Sequence, residues 1–222
     1  LFFIFSMFLG GALQLTNMYG DVFLSEFGNF EKYKNSFVVE YSTIIMSISQ
    51  ISETLFILAI PFFLKRFGIK QVMLISMFAW VLRFGLFSYG DPMGGLWMII
   101  LSCIVYGMAF DFFNISGSLF VETNTDSKIR SSAQGLFMMM TNGFGALLGA
   151  KISAVVIAKY FTIKFTNLDD LLAYFGTNMN NPAIKNMLQN NKVLSNNVLE
   201  RSIDVRDWHN IWLSFAGYAL VI

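Results

Sequence analysis

The chain has 222 residues, 55% of them hydrophobic and 13% charged, with a net charge of +1 and a mean hydropathy of +0.59. Soluble domains carry about 25% charged residues, so this composition excludes an ordinary soluble domain. The near-neutral balance gives no basic footprint for a nucleic-acid partner, and a single cysteine, Cys103, excludes an internal disulfide and leaves it a packing role.

Six hydrophobic spans are predicted in chain order, at about 1–24, 38–64, 70–89, 95–121, 131–162 and 208–222. A helix needs about 20 mostly apolar residues to cross a bilayer, which the last run does not reach. The chain opens on Leu1-Phe2-Phe3-Ile4-Phe5 without an initiator Met, a basic n-region or a cleavage site, so this stretch is expected not to be a signal peptide. With an apolar run open at each end, the chain is expected to be a piece of a longer protein.

Lys65-Arg66-Phe67-Gly68-Ile69-Lys70 reads as a tight basic turn, and Gly90-Asp91-Pro92 with Gly94 and Gly95 as a turn cluster. Residues 122–130 form a polar bridge. Three basic residues lie in the 65–70 turn and two, Lys128 and Arg130, in the bridge; the 20–37 loop has two, Lys32 and Lys34, and the 90–95 turn none. The excess puts the first pair of connections in the cytoplasm and predicts that the chain enters its first span from there.

The polar, Asn-rich stretch 163–207 is then an external loop insertion. Asn181-Pro182 suits the start of a short helix, with Pro at the first helical position. A second short helix, from Leu168 to Phe175, is expected on the membrane surface. Trp208 and Trp212 are expected as interface anchors for the last span.

Within these spans a few polar residues stand out. Glu53 lies near the middle of an uncharged run from Tyr41 to Leu64, and Asp111 holds the equivalent place between Leu96 and Val121. A carboxylate near the bilayer centre costs about 2.5–3.5 kcal/mol on insertion scales, so such acids usually face a cavity and carry function. Gln14 and Asn17 are three residues apart, as are Gln50 and Glu53, and Tyr106 and Phe110 are four apart. Those spacings put each pair on one helical face.

Carboxamides and hydroxyls offer both donors and acceptors, which suits a neutral ligand rich in hydroxyl and amide edges. Tyr106 and Phe110 offer flat surfaces on which a base or sugar ring can stack. No Lys or Arg accompanies these patches in the sequence, which argues against a phosphorylated cargo. The bland alternative for Gln14 and Asn17 is interhelical hydrogen bonding, and for the two rings ordinary packing.

Arg83 and Lys151 also lie inside spans, toward the outer side, where a long side chain can reach the interface. A structural role is expected for Arg83, with pairing to an acid as the alternative. Gly145 and Gly149 form a GxxxG pair, with Gly135 and Gly143 on the same helix, and close helix packing is expected to explain all four. His209, at the external border, is expected to be solvated. The glycosylation pattern Asn114-Ile115-Ser116 falls inside a span and is set aside. No metal-ligand spacing, nucleophile elbow or phosphate loop is present, so no catalytic residue, metal or cofactor is expected.

Five stretches resemble the nucleoside:proton symporter family of the major facilitator superfamily, specifically the carboxy-terminal half of the bacterial nucleoside permeases. They are Ile4-Phe5-Ser6-Met7 through Gln14-Leu15-Thr16-Asn17-Met18; Ile44-Ile45-Met46-Ser47-Ile48-Ser49-Gln50-Ile51-Ser52-Glu53-Thr54; Leu64-Lys65-Arg66-Phe67-Gly68-Ile69-Lys70; Val105-Tyr106-Gly107 through Asp111-Phe112-Phe113-Asn114-Ile115-Ser116-Gly117-Ser118; and Ile129-Arg130-Ser131-Ser132-Ala133-Gln134-Gly135 through Asn142-Gly143-Phe144-Gly145. The resemblance covers most of the chain outside roughly 164–206.

It implies an all-α membrane protein, the second six-helix half of a twelve-helix transporter with its last helix truncated. Gln14, Asn17, Gln50, Glu53, Tyr106 and Phe110 would contact the nucleoside. Asp111, with Glu53, would couple transport to protons, and further contacts, including a basic residue, would come from the amino-terminal half. The setting implied is the bacterial inner membrane. Two features depart from the family: the 163–207 insertion is longer than expected, and Lys151 stands where a small residue is expected.

The function expected is proton-coupled nucleoside import by alternating access. The same scaffold carrying a sugar or another neutral polar metabolite is the alternative. An intramembrane enzyme using Glu53 and Asp111 lacks a nucleophile or metal ligands beside the acids, and a membrane sensor would bind nucleoside without accumulating it.

Overall fold

An apolar chain in a bilayer has no water to satisfy its backbone, so each run closes its own hydrogen bonds as a helix. The computed structural model describes residues 1–190 and 198–222. Helix α1, Phe2–Glu26, ends in a single 3-10 turn, Phe27–Asn29. The short α2, Phe37–Glu40, follows, with the Ser36 hydroxyl accepting from the Val39 amide.

Helix α3 runs Ser42–Tyr89 but breaks at Gly68, whose φ of 77° and ψ of 167° only glycine adopts readily. The break falls inside the predicted basic turn and divides α3 into limbs over 42–67 and 69–89. α4 is Leu96–Asn124. The next pass is composite: α5, Arg130–Met138, a π-helical segment, Met139–Gly145, and α6, Ala146–Tyr160. The last helix, α9, is Trp208–Val221. Among the described residues, Phe2–Asn29, Ser42–Tyr89, Leu96–Asn124 and Arg130–Tyr160 are long and apolar enough to cross a membrane.

α4 packs along both limbs of α3. The Ser52 hydroxyl of the first limb donates to the Ile104 carbonyl, and Ser76 of the second donates to the Ala109 carbonyl at 2.7 Å. Small residues set the other main seam. A Cβ at Gly149 would meet the Gly11 Cα at 2.6 Å, and one at Gly145 would collide with the Met7 carbonyl of α1. Close packing therefore accounts for the GxxxG pair. It does not account for Gly135, which has open space around it, or for Gly143, whose surroundings would accept a methyl group.

α9 lies against the second limb of α3 through rings. Trp212 is fully buried and stacks on Phe84, with centroids 5.8 Å apart, so it is a core residue rather than the expected interface anchor. Trp208 is half-buried and donates its indole N–H to Glu26 at 2.7 Å. His209 is exposed as expected, but its Nδ1 is also within 3.0 Å of the Ser88 hydroxyl.

The stretch between the last two passes is more than a loop. Strand β1, Thr162–Asn167, pairs antiparallel with β2, Val198–Arg206, running from Thr162 opposite Arg206 to Phe165 opposite Ile203 before the register shifts. Between them α7, Leu168–Phe175, is capped by the Asn167 side chain and closed by Gly176 in the left-handed conformation. α8, Pro182–Asn190, starts at the expected proline.

Leu168, Leu171 and Phe175 of α7 pack with Ile184, Leu188, Ile203 and Val205 into a second core. The apolar face of α7 is thus spent inside this unit, not on a membrane surface. The unit is fastened to the end of α1. The Glu31 amide donates to the Phe175 carbonyl at 3.2 Å, Thr177 donates to the Glu31 carboxylate at 2.7 Å, and Arg206 pairs with Glu26.

Candidate functional site

The face that carries the candidate residues is built where α1, the first limb of α3 and α4 meet. Its geometry starts at Gly107, where a Cβ would lie 2.6 Å from the Glu53 backbone nitrogen. Absence of a side chain there lets the two backbones touch, which puts Glu53 opposite the turn that holds Tyr106 and Phe110. Asp111 follows Gly107 by four residues and so stands one turn further along the same face of α4.

Tyr106 is 3% exposed and donates its hydroxyl to the Asn17 carboxamide oxygen at 3.5 Å, joining α4 to α1. Its ring lies 5.6 Å from that of Phe110 and edge-on to Trp80. Asn17 and Gln50 are exposed, and Gln14, Glu53 and Phe110 are half-buried. Asp111 is 5% exposed, and its Oδ2 has no hydrogen-bond partner among the described residues. Glu53 and Asp111 thus stand on facing helices about one turn apart along the seam that Gly107 sets.

The residues that come together are therefore Asn17, Glu53, Tyr106, Phe110 and Asp111. Gln14 and Gln50 join them by helical spacing, on the turns before Asn17 and Glu53; their side chains make no hydrogen bond among the described residues. The arrangement is an open face. An apolar groove of about 270 Å³ lies elsewhere, lined by Leu15, Ile152 and Phe215 among others, and contains none of these residues.

Arg83 departs from its expected place. It does not reach the interface: it is 0% exposed, in the second limb of α3. Its guanidinium carbon sits 4.4 Å over the Tyr106 ring and 4.9 Å over Phe87, within the range of cation–π attraction. Nε donates to Thr16 at 3.3 Å and Nη1 to the Ser102 carbonyl at 2.6 Å. A cation does accompany the polar patches in space, although it stands behind Tyr106 and offers no exposed atom to an anionic cargo.

Thr16, Ser52, Gly107 and the Ser118–Gln134 pair are other residues that shape this region and were not singled out in the sequence. The Gln134 amide donates to the Ser118 carbonyl at 2.8 Å, tying α5 to α4. Lys151 is exposed on α6 beside Ile152, and no ion pair reaches it among the described residues. No three His, Cys, Asp or Glu among the described residues group as metal ligands.

Across its whole length, residues 1–222, the sequence matches the family described as Nucleoside H+ symporter. The chain belongs to that family. It is 49% identical to Nucleoside permease NupG of Escherichia coli (strain K12) and 48% identical to Xanthosine permease of the same organism, in each case over 100% of this chain. It spans 44% of the length of both permeases.

Its structure is similar to the crystal structure of nucleoside transporter NupG, with a TM-score of 0.76 at 49% identity, covering 99% of this chain and 45% of the other. A mutant of that transporter gives a TM-score of 0.77 at 48% identity, with the same coverage. Family membership and this likeness identify the helices as half of a major facilitator transporter fold, in which the β1–β2 unit lies between the last two passes.

Proposed function

We propose that this chain is the carboxy-terminal bundle of a proton-coupled nucleoside importer that works by alternating access across a bacterial inner membrane. The observation that carries the reading is the acid pair. Asp111 is enclosed with an oxygen that has no partner among the described residues, and Glu53 stands on the facing helix where Gly107, one turn before Asp111, lets the two backbones touch.

On this reading the exposed amides of Asn17 and Gln50 and the half-buried one of Gln14 bond the polar edges of a nucleoside, and the half-buried Phe110 ring, backed by the buried Tyr106, meets its base or sugar ring. Glu53 accepts from the ribose or base. A proton arriving from outside neutralises Asp111, Glu53 or both. A neutral carboxyl costs far less to enclose than a charged one, so protonation favours closing the site around the cargo. The remaining contacts come from the part of the relatives' length that this chain does not span.

Uptake in proteoliposomes of the full-length protein tests the assignment. Radiolabelled uridine should accumulate and be recovered intact, with competition from unlabelled nucleosides and none from hexoses. Competition by sugars alone would assign a different cargo to the same scaffold, and chemically altered uridine would point to an enzyme.

A further inference from the structure

We infer that Arg83 is a positioning residue: from behind the site it fixes Tyr106 and Asn17 in the relation that a ligand meets. The inference rests on reading the Tyr106 face as the ligand face. Arg83 pairs with no acid, reaches no solvent and leaves Nη2 without a hydrogen-bond partner among the described residues. An apolar side chain such as methionine could occupy much of that space without a buried charge. What the guanidinium does instead is touch groups on three helices that together define one geometry.

The first is Thr16, the residue before Asn17 on α1, which accepts from Nε at 3.3 Å. The second is the Ser102 carbonyl of α4, one turn before Tyr106, which accepts from Nη1 at 2.6 Å. The Ser102 hydroxyl answers by donating to the Arg83 carbonyl at 3.0 Å. The third is the Tyr106 ring, held face-on at 4.4 Å, with the Phe87 ring at 4.9 Å. One planar group thus sets the helix that carries Asn17, the helix that carries Tyr106 and the plane of the Tyr106 ring. The Tyr106–Asn17 hydrogen bond, long at 3.5 Å, does not hold that geometry by itself.

Planarity and a fixed fork of donors are what arginine has and lysine lacks. Charge alone is therefore not the requirement, and Arg83→Lys should behave like Arg83→Met.

Two measurements on the full-length protein test this. Without any cargo, ¹⁹F NMR of 3-fluorotyrosine-labelled protein follows the Tyr106 resonance, assigned by its loss in Tyr106→Phe. One resonance should split or broaden in Arg83→Met and Arg83→Lys. In uridine uptake each variant should raise KM by about tenfold with a smaller change in kcat. Arg83→Met combined with Tyr106→Ala should be no worse than Tyr106→Ala alone. Where Arg83→Met fails to insert, Thr16→Val should shift the resonance and KM in the same direction by less.

An unmoved Tyr106 resonance, full rescue by lysine, or KM effects that multiply in the double variant would each overturn the inference. If uridine is not transported by the unmodified protein but the resonance behaves as expected, the cargo assignment falls and the role of Arg83 stands.

Discussion

Gly107 of α4 lies against the backbone of Glu53, close enough that a methyl group there would stand 2.6 Å from the Glu53 nitrogen. The position of an acid in the middle of the bundle therefore depends on an absent side chain on the neighbouring helix. Gly107→Ala should push the first limb of α3 from α4, with an overpacking cost of about 1–3 kcal/mol. A lower melting temperature of the purified full-length protein, together with reduced uptake, is the expected result.

The glycines of the fifth pass separate by what they touch. Gly149→Leu should disrupt the seam with α1, because even a Cβ meets Gly11 at 2.6 Å. Gly135→Ala, in a helix with nothing within 4 Å, should stabilise by about 0.5–1 kcal/mol. Thermal unfolding of the two variants should move in opposite directions, and destabilisation by Gly135→Ala would contradict the packing described.

The β1–β2 unit has its own core, with Leu171 fully buried in it. Leu171→Ala should cost that unit about 2–5 kcal/mol. Limited proteolysis should then cut faster within residues 163–207, while cleavage at the 65–70 turn stays unchanged. Equal acceleration at both places would mean that the unit is not separately packed.

At the exposed amides the expected effects are modest. Asn17→Ala and Gln50→Ala each remove one hydrogen-bonding group, a change of about 0.5–1.5 kcal/mol, or roughly 2- to 10-fold in KM for uridine. Saturation kinetics on each variant measure it, and unchanged KM in both would remove them from the site.

The spans were legible because membranes punish charge. The uncharged runs around Glu53 and Asp111 give the first limb of α3 and α4 directly, and Pro182 marks the start of α8. Family motifs located the candidate residues on three helices, and helical spacing grouped them. Arg83 was misplaced because depth along a span was weighed without helical phase. Trp80 and Phe87 stand three before and four after it, on the face that packs into the core.

Trp212 belongs to the same lesson, with Phe215 three residues on and buried. The β1–β2 ladder was out of reach for another reason. Its strands are short and far apart in sequence, and pairing between them is decided by the core they enclose with α7 and α8, which no local pattern declares. The π segment, Met139–Gly145, likewise answers to the seam with α1 more than to its own residues.

On the proposed reading the proton that drives accumulation is taken up by Asp111, Glu53 or both. Uridine accumulation in proteoliposomes of the full-length protein under an imposed inward proton gradient tests this most directly, comparing the unmodified protein with Asp111→Asn and Glu53→Gln. At least one variant should still exchange uridine across the membrane but fail to concentrate it above the outside level. Concentration by both variants to the same level and with the same pH response as the unmodified protein would contradict the account.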